Sequence, residues 1–372
     1  MEIEQSCPPV IRLVWVDKGW ARTYIARDKA SGKEFVIVRP KVFVTRRIPS
    51  PGIEMLSKRC DVTVYDGAQA LAREDLLKSI RDKDGLVCIP EDRIDREVLD
   101  AAPSLKAICT YSVGYDHIDV GEATKRGIFI GYTPGVLTDA TADLAFALLI
   151  ATARRISEGD RYVRAGKWQG HFDPMLMIGE SVWEATLGIV GFGRIGRAVA
   201  TRAGGFRMKV LYYDPDRLVA EEPWRGSEYR DLDDLLGASD FVSIHVPYSR
   251  QTHHLIGERE LKLMKPTAML INTSRGSVID ESALVEALKA DRLAGAGLDV
   301  YEREPLDINS PLLRMENVIL APHIGSATRT TRMKMAELTA RNLLAALRGD
   351  APIHWLNPDA AKVRALSAAK ML

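Results

Sequence analysis

The stretch Thr186–Gly205, TLGIVGFGRIGRAVATRAGG, decides the fold class of this 372-residue chain. It begins with residues typical of a buried strand, continues with a Gly-x-Gly-x-x-Gly pattern at Gly191, Gly193 and Gly196, and ends in a helical segment stopped by two more glycines. Such a turn leaves backbone N–H groups at a helix N-terminus, where glycines let the main chain approach a phosphate. The stretch therefore predicts a binding site for the pyrophosphate of a dinucleotide, with a ligand-free tight turn as the alternative interpretation.

Asp214 follows the next predicted strand, Lys209–Tyr213, in the position of the acidic residue that accompanies such a fingerprint. A carboxylate there can accept hydrogen bonds from both hydroxyls of the adenosine ribose, and it repels a 2′-phosphate. The residue favours NAD over NADP. Arg217 qualifies this preference, because a guanidinium in the same loop can bind a phosphate. A turn residue before Pro215 is the alternative reading of Asp214.

On both sides of this stretch, short segments rich in Val and Ile alternate with longer helical segments, which predicts parallel sheets flanked by helices. The expected fold class is α/β, with two doubly wound Rossmann-like domains, one a flavodoxin-like substrate domain and the other a dinucleotide-binding domain. The first series of predicted strands covers 42–45, 62–65, 86–89, 105–109 and 128–131, and the second covers 187–190, 209–213, 241–246, 268–272, 295–300 and 318–321.

The last long helical segment, about 328–347, has no sheet of its own to cover, so we expect it to return to the first domain. The substrate domain is therefore expected to be discontinuous. The predicted domains are an extension over 1–40, a substrate domain over 41–137 and 325–358, a dinucleotide-binding domain over 138–324, and a tail over 359–372.

The segment Thr138–Arg155 is predicted to form one long helix that is apolar on most of its surface. Leu144, Ala147, Leu148 and Ala151 fall on one face at helical spacing. A helix that is apolar all round must be buried, and contact between subunits is one way to bury it.

Residues 1–40 do not follow the alternation. Val10–Val16 and Tyr24–Val38 are rich in β-branched and aromatic residues, and Asp28–Lys33 is predicted to be a hairpin loop. We expect an added N-terminal β-ribbon of unknown purpose, with a misassigned start site as the alternative.

Composition excludes several classes of partner. The 51 Lys and Arg residues balance 50 Asp and Glu residues and are scattered, so neither nucleic acid nor a membrane surface is expected as a partner. The longest apolar run, Leu144–Ala151, is far short of the roughly 20 residues that a membrane span requires. The acidic start lacks the pattern of a secretory signal, so the expected location is the cytoplasm. Cys7, Cys60, Cys88 and Cys109 are far apart, which predicts buried free thiols and no metal site.

Three later segments place polar residues at the ends of predicted strands. Arg275 follows the strand at 268–272, where its planar guanidinium can bind a carboxylate through two parallel hydrogen bonds. Glu304 and His323 follow the next two strands, and a carboxylate beside a histidine raises the histidine pKa and fixes its tautomer. Such an imidazolium can protonate an alkoxide as hydride arrives. Together with the fingerprint, these residues predict a dehydrogenase for a small oxo acid; a solvated loop arginine is the alternative for Arg275.

His245 precedes Val246 and Pro247 at another strand end, and it is expected to line the cofactor cleft rather than to titrate. The remaining histidines, including His117, have no such strand-end setting beside an acid.

From Lys41 to about Pro358, the chain resembles the D-isomer-specific 2-hydroxyacid dehydrogenases, and within them most closely the glyoxylate and hydroxypyruvate reductases. The resemblance rests on Ser112–Asp116 (SVGYD), on Thr133–Asp143 (TPGVLTDATAD), on the glycine fingerprint, and on the order Arg, Glu, His of the three strand-end residues.

The resemblance implies roles for these residues. Arg275 would anchor and polarise the substrate, and Glu304 would support His323, which would act as the acid in reduction and the base in oxidation. The backbone amides of Val113 and Gly114 would meet the substrate carboxylate.

The resemblance also assigns Ile89 to the substrate side chain and Asp299 to the nicotinamide carboxamide, and it implies a homodimer formed through Thr138–Arg155. The two domains are expected to close and exclude water. The residues expected to contact NAD are Thr141, Gly191, Phe192, Gly193, Arg194, Ile195, Asp214, His245, Val246, Pro247, Thr273, Ser274, Arg275, Asp299, His323 and Gly325.

Two departures from the family pattern stand out. Close glyoxylate reductase relatives often have a non-acidic residue followed by Arg where this chain has Asp214, so the resemblance alone would suggest NADPH. The turn before the nucleotide domain usually carries Gly-Lys, whereas this chain has Glu184 and Ala185, which puts the geometry of that turn in doubt.

Alternatives remain open. Glu304 argues against a formate dehydrogenase, which has glutamine there, and the residues after Pro358 are too few for the regulatory domain of many phosphoglycerate dehydrogenases. Another D-2-hydroxyacid dehydrogenase, a phosphonate dehydrogenase, and a non-catalytic NAD-sensing scaffold like the related corepressors stay possible. The motifs fix neither the physiological oxo acid nor the direction of the reaction.

Overall fold

The computed structural model describes residues 12–17, 22–27, 34–170, 172–215 and 226–369. Its strands are β1 (Arg12–Asp17), β2 (Arg22–Arg27), β3 (Glu34–Val38), β4 (Lys41–Val44), β5 (Asp61–Val64), β6 (Gly85–Cys88), β7 (Ala107–Thr110), β8 (Phe129–Gly131), β9 (Thr186–Val190), β10 (Lys209–Tyr213), β11 (Glu228–Tyr229), β12 (Phe241–Ile244), β13 (Met269–Asn272), β14 (Gly295–Leu298) and β15 (Val318–Leu320). Its helices are α1 (Ser50–Ser57), α2 (Arg73–Ser79), α3 (Arg96–Ala101), α4 (Val120–Lys125), α5 (Thr138–Ala153), α6 (Ile156–Arg164), α7 (Arg194–Ala203), α8 (Leu232–Ala238), α9 (Glu258–Leu263), α10 (Glu281–Lys289), α11 (Arg329–Arg348) and α12 (Ala360–Ala369).

The chain divides into two units, of which the first runs to Pro134 and resumes at Met333, and the second is Gly135–Arg332. The division lies close to the predicted domain boundaries, at 137/138 and 324/325. Both units contain parallel sheets covered by helices, which confirms the predicted α/β class.

In the first unit, a five-stranded parallel sheet has the order β5-β4-β6-β7-β8, which is the flavodoxin-like order. The late helix α11 packs with this unit, because Asn342 donates a hydrogen bond to the carbonyl oxygen of Tyr132 (2.9 Å). Asn357 closes the same edge by accepting from the amide of Ile130 (2.9 Å) and donating to the carbonyl of Ile128 (2.8 Å). The C-terminal part of the chain therefore completes the first unit.

In the second unit, seven parallel strands have the order β11-β10-β9-β12-β13-β14-β15. Because side chains alternate along a strand, Met269 and Ile271 belong to the core beside α5 and α7, and Leu270 belongs to the core beside α8, α9 and α10. The strand order reverses beside β9, and ligands of such sheets bind at the carboxyl ends of the strands at this switch point.

Before these sheets, β1, β2 and β3 form a three-stranded antiparallel sheet, as expected for an added β-ribbon. The predicted hairpin loop Asp28–Lys33 and the start of the segment Val10–Val16 lie outside the described residues.

The interpretation of Thr138–Arg155 needs a correction. The helix ends at Ala153, and Arg155, with φ of 50°, separates it from α6. Its buried side packs on α7, β13 and β14 of its own unit, so no second subunit is needed to bury it. The predicted face was also wrong: Ala147 is exposed and Leu144 is only half-buried.

At the turn where the family pattern carries Gly-Lys, Glu184 has an uncommon backbone conformation. Glu184 adopts φ of 61°, in the left-handed region that glycine tolerates best, and its amide donates to the carbonyl of Phe206 (2.9 Å). The turn therefore forms without glycine, at a cost in backbone strain.

Cys60, Cys88 and Cys109 are buried free thiols. Among the residues described, there is no cluster of His, Cys, Asp and Glu able to hold a metal ion. A search of that same part of the chain finds no helix with the length and apolar character of a membrane span.

Candidate active site

Arg275 stands beyond the end of β13, in a loop shaped by its neighbours. The Asn272 side chain accepts from the amide of Ser274 (2.9 Å) and donates to the carbonyl of Arg275 (2.9 Å). This local ring of hydrogen bonds turns the chain, and Arg275 is half-buried. The role of Asn272 was not predicted from the sequence, although an Asn at the end of a buried strand is typical of a turn held by its side chain.

Glu304 and His323 follow β14 and β15, and they meet directly. His323 Nδ1 lies 2.7 Å from Glu304 Oε2, and the other carboxylate oxygen accepts from the amide of Tyr301 (3.1 Å). Because a carboxylate only accepts hydrogen bonds, the proton of this contact lies on Nδ1. Nε2 is then the ring nitrogen left for proton exchange with a reactant.

This contact controls the charge of both groups. The hydrogen bond that His323 donates to Glu304 raises the pKa of His323 above its ordinary value of 6.5, against burial and the nearby Arg275 charge, which lower it. Burial would raise the pKa of Glu304, but the hydrogen bond and charge of His323 prevail and lower it. Both shifts favour an imidazolium beside a carboxylate, which is the form that can deliver a proton.

Asp299, at the end of β14, holds the loop that carries His323. Its carboxylate oxygens accept from the amides of Ile324 (2.7 Å) and Gly325 (2.8 Å), and its backbone carbonyl accepts from the amide of His323 (2.9 Å). His323 has φ of 53°, an uncommon conformation that these three bonds maintain. Burial raises the pKa of Asp299, and the two amides oppose that rise. Its predicted contact with a nicotinamide carboxamide remains a prediction.

The glycine turn has the shape that a pyrophosphate requires. A Cβ on Gly191, which has φ of 96°, would lie 2.5 Å from the amide nitrogen of Val246, and one on Gly196 would lie 2.2 Å from the carbonyl oxygen of Gly191. A Cβ on Gly193 would instead meet no atom within 4 Å beyond its chain neighbours, and Gly193 precedes α7 without a side-chain cap. The N-terminus of α7 thus offers backbone N–H groups and room for an anion.

Asp214 is half-buried and accepts from the amide of Phe192 (2.7 Å). The Phe192 ring stacks on Tyr212 with 4.1 Å between centroids. The carboxylate is therefore fixed at the ends of β9 and β10, where the ribose of a dinucleotide is expected.

Two buried polar atoms near this edge have no partner within the described residues: His245 Nδ1 and Thr273 Oγ1. His245 Nε2 lies 2.8 Å from Ser243 Oγ. Burial lowers the pKa of His245 to about 3, which agrees with the prediction that it does not titrate. Unsatisfied buried atoms are rare in proteins, so a bound cofactor fits this edge.

Comparison with known proteins now identifies the family. Residues 146–325 match the family model described as the NAD binding domain of D-isomer specific 2-hydroxyacid dehydrogenases. Glyoxylate reductase from Thermofilum pendens is 52% identical over 338 residues, covering 90% of this chain and all of that protein. The chain belongs to the D-isomer specific 2-hydroxyacid dehydrogenase family. It is accordingly an oxidoreductase, an NAD(P)-dependent dehydrogenase.

Solved structures of other proteins are similar along their whole length. The TT0316 protein from Thermus thermophilus is 46% identical with a TM-score of 0.79, covering 85% of this chain and 99% of that one. An NADPH-dependent glyoxylate/hydroxypyruvate reductase from Sinorhizobium meliloti, in complex with NADP and malonate, is 32% identical with a TM-score of 0.74, covering 87% and 98%. The family therefore uses a nicotinamide cofactor. Individual residues decide between NAD and NADP.

Three further predicted site residues of this dehydrogenase, Ile89, Val113 and Gly114, lie in the first unit. Ile89 follows β6, and its amide donates to Asp92 (2.9 Å). Val113 and Gly114 follow β7, both half-buried, and the Gly114 carbonyl accepts from Ser112 Oγ (2.6 Å). These three residues lie beyond the carboxyl ends of neighbouring strands of their own sheet.

In the second unit, Thr141 Cγ2 lies 3.3 Å from the place where Gly325 would carry a Cβ. Thr141 is buried in α5. Contacts of the predicted cofactor residues with NAD remain predictions.

Proposed function

We propose that this protein is a glyoxylate reductase, which reduces glyoxylate to glycolate and hydroxypyruvate to D-glycerate with NADH. The observation that carries the proposal is the 2.7 Å contact between His323 Nδ1 and Glu304 Oε2 at adjacent strand ends, with Arg275 on the neighbouring strand end. Support for the substrate comes from the relatives named above as glyoxylate and glyoxylate/hydroxypyruvate reductases.

The cofactor supplies a hydride. For its binding, we propose that the backbone of Gly191–Ile195 holds the pyrophosphate and that Asp214 accepts hydrogen bonds from the adenosine ribose. The other proposed contacts are Thr141, His245, Val246, Pro247, Thr273, Ser274, Arg275, Asp299, His323 and Gly325.

The proposed chemistry of the protein is proton transfer. As negative charge develops on the carbonyl oxygen, the imidazolium of His323 donates the Nε2 proton to it, and Glu304 stabilises the imidazolium until that moment. Arg275 binds the substrate carboxylate and polarises the carbonyl through its fixed positive charge. In the reverse direction, neutral His323 accepts the hydroxyl proton.

For the first unit, we propose that the amides of Val113 and Gly114 donate to the substrate carboxylate and that Ile89 contacts the substrate beyond its reacting carbon. Both elements lie at carboxyl strand ends, where this type of sheet binds ligands.

Asp214 supports NADH as the preferred cofactor. Its carboxylate is held by the Phe192 amide, and a 2′-phosphate at this place would meet a negative charge. This choice differs from the NADPH-dependent relative of Sinorhizobium meliloti.

We also propose a homodimer, formed through the segment 156–183 that follows α5. Eight large apolar side chains of this segment are exposed, and such a concentration is typical of an interface. They are Ile156, Val163, Trp168, Phe172, Met175, Leu176, Ile178 and Trp183. The proposed location is the cytoplasm.

The test is a substrate panel with the purified protein, following the loss of NADH absorbance. Glyoxylate and hydroxypyruvate are expected to have the highest kcat/KM, and pyruvate a lower one. Phosphite with NAD tests the alternative of a phosphonate dehydrogenase, in the direction in which NAD is reduced. A folded sample that binds NADH but reduces no 2-oxo acid would refute the proposal.

A further inference from the structure

A chain of hydroxyl groups lies directly behind the loop 112–114. Thr110, the last residue of β7, is fully buried, and its Oγ1 lies 2.6 Å from Ser112 Oγ and 3.1 Å from His117 Nε2. Ser112 Oγ in turn donates to the carbonyl of Gly114 (2.6 Å). His117 Nε2 also lies 3.8 Å from Cys88 Sγ.

The number of protons fixes the direction of every bond in this chain. The Gly114 carbonyl can only accept, so it takes the single hydroxyl proton of Ser112. Ser112 must then accept a hydrogen bond from Thr110. Thr110 donates its single hydroxyl proton in this bond and has none left for another. Thr110 can therefore only accept from His117, so His117 carries a proton on Nε2.

We propose that Thr110, Ser112 and His117 form a one-way hydrogen-bond relay that positions the loop 112–114 for the substrate carboxylate, with Thr110 as its central positioning residue. This inference rests on the proposed function, in which the Val113 and Gly114 amides bind that carboxylate.

The geometry explains why such a relay is needed. The two amides bind an anion only if the peptide planes of the loop keep their orientation, and one carbonyl of the loop, that of Gly114, is held by Ser112. The other backbone anchor nearby is the Ser112 carbonyl, which accepts from the amide of Thr133 (2.9 Å). Loss of the Thr110 hydroxyl would leave Ser112 and His117 without this buried partner, and the loop would relax to satisfy them with water.

The kinetic test compares Thr110→Val, which keeps the shape of threonine but lacks the hydroxyl, with Thr110→Ser, which keeps the hydroxyl. Thr110→Val is expected to raise KM for glyoxylate about tenfold, the effect of one lost buried hydrogen bond. It should change kcat by less than about threefold and leave the NADH dissociation constant unchanged. Thr110→Ser is expected to restore most of the wild-type KM, so a valine variant that does not fold still leaves a measurement.

Equal KM values for the valine and wild-type proteins would overturn the relay, and so would equal losses in the serine and valine variants. A fall in kcat with an unchanged KM would also contradict it, because the loop would then not act through substrate binding.

A second readout does not depend on glyoxylate reduction. Nuclear magnetic resonance of isotope-labelled histidine in the wild-type protein reports which ring nitrogen of His117 carries a proton. We expect a proton on His117 Nε2 in the wild-type protein and the loss of its hydrogen bond in Thr110→Val. An Nε2 without a proton in the wild-type protein would overturn the relay. If the relay is present but no oxo acid is reduced, the proposed function fails and the relay stands as a property of the loop alone.

Discussion

At the scale of single residues, the proposed catalysis depends on how His323 is charged. Its pKa lies above 6.5 because Glu304 hydrogen-bonds to it. Reduction requires the protonated form, so kcat/KM for glyoxylate should be constant at low pH and fall as pH rises through this raised pKa.

Glu304→Gln is therefore expected to move the fall in kcat/KM to lower pH, because the glutamine amide cannot stabilise the imidazolium. The pH profile of glyoxylate reduction measures this. Glu302→Gln is the matched control, since Glu302 bonds His254 and not His323. An unmoved profile in Glu304→Gln, or an equal shift in the control, would contradict the assignment of the acid.

Asp214 supports a second prediction at this scale. Asp214→Ala removes the charge that repels a 2′-phosphate and the acceptor for the ribose hydroxyls, so the ratio of kcat/KM for NADH to that for NADPH should fall at least about tenfold. For Asp214→Asn, which keeps an acceptor without the charge, this ratio should lie between the values for Asp214→Ala and for the wild-type protein. An unchanged cofactor ratio in both variants would remove Asp214 from cofactor selection.

The strand-end positions of the proposed catalytic residues could be predicted from the sequence. Arg275, Glu304 and His323 each follow a predicted strand, so their placement could be predicted from the alternation of strands and helices. Asn272 and the amide contacts of Asp299 could not, because they depend on how a loop folds back on itself. His117 has no strand-end setting beside an acid in the sequence, and no sequence pattern marks its contact with the Thr110 hydroxyl.

At the scale of elements, the loops after β13 and β14 are packed against each other. A Cβ on Gly276 would lie 1.8 Å from the carbonyl carbon of Tyr301. The loop carrying Arg275 and the loop leading to Glu304 therefore need glycine at their contact.

Gly276→Ala is expected to lower the free energy of unfolding by roughly 3 kcal/mol and to reduce activity, because two backbones must separate. Gly204→Ala is the control, since that glycine has a helical φ of −58° and no atom within 4 Å of an added Cβ. Its free energy of unfolding should change by less than about 1 kcal/mol. Urea unfolding measures both; equal stability of the two variants would contradict the packing described.

Periodicity predicted the parallel strands and the return of α11 well, because a buried strand between helices has a distinct apolar pattern. It failed for the buried face of α5, whose apolar residues lie on nearly all sides and so do not mark one face. The helix also ends before Arg155, which has a left-handed backbone conformation. This end could not be predicted, because the residue there is not glycine.

At the scale of the whole molecule, the exposed apolar side chains of 156–183 predict a dimer. Phe172 is 91% exposed and Met175 is 73% exposed. A double change, Phe172→Ser with Met175→Ser, should shift the protein from dimer to monomer in light scattering after size-exclusion chromatography. Ile308→Ser is the control, because Ile308 is 83% exposed outside this segment. A wild-type monomer, or a double variant that stays dimeric, would contradict the proposed interface.

The family and its cofactor class could be predicted from the glycine fingerprint and from the order of the three strand-end residues. The preferred oxo acid could not, because in the proposed mechanism Arg275, Glu304 and His323 act on the carboxylate and carbonyl that all 2-oxo acids share. We propose that side chains beyond the reacting carbon, such as Ile89, decide that preference, and such an effect depends on shape rather than on a motif.

The most direct measurement of the central claim compares His323→Ala with the wild-type protein in two assays on the same samples: turnover of glyoxylate and binding of NADH. If His323 is the acid, the turnover rate should fall by about 10²–10⁴-fold while the NADH dissociation constant changes less than about threefold. A variant that retains its turnover rate, or that loses NADH affinity in proportion to its rate, would contradict the role of His323 as the acid.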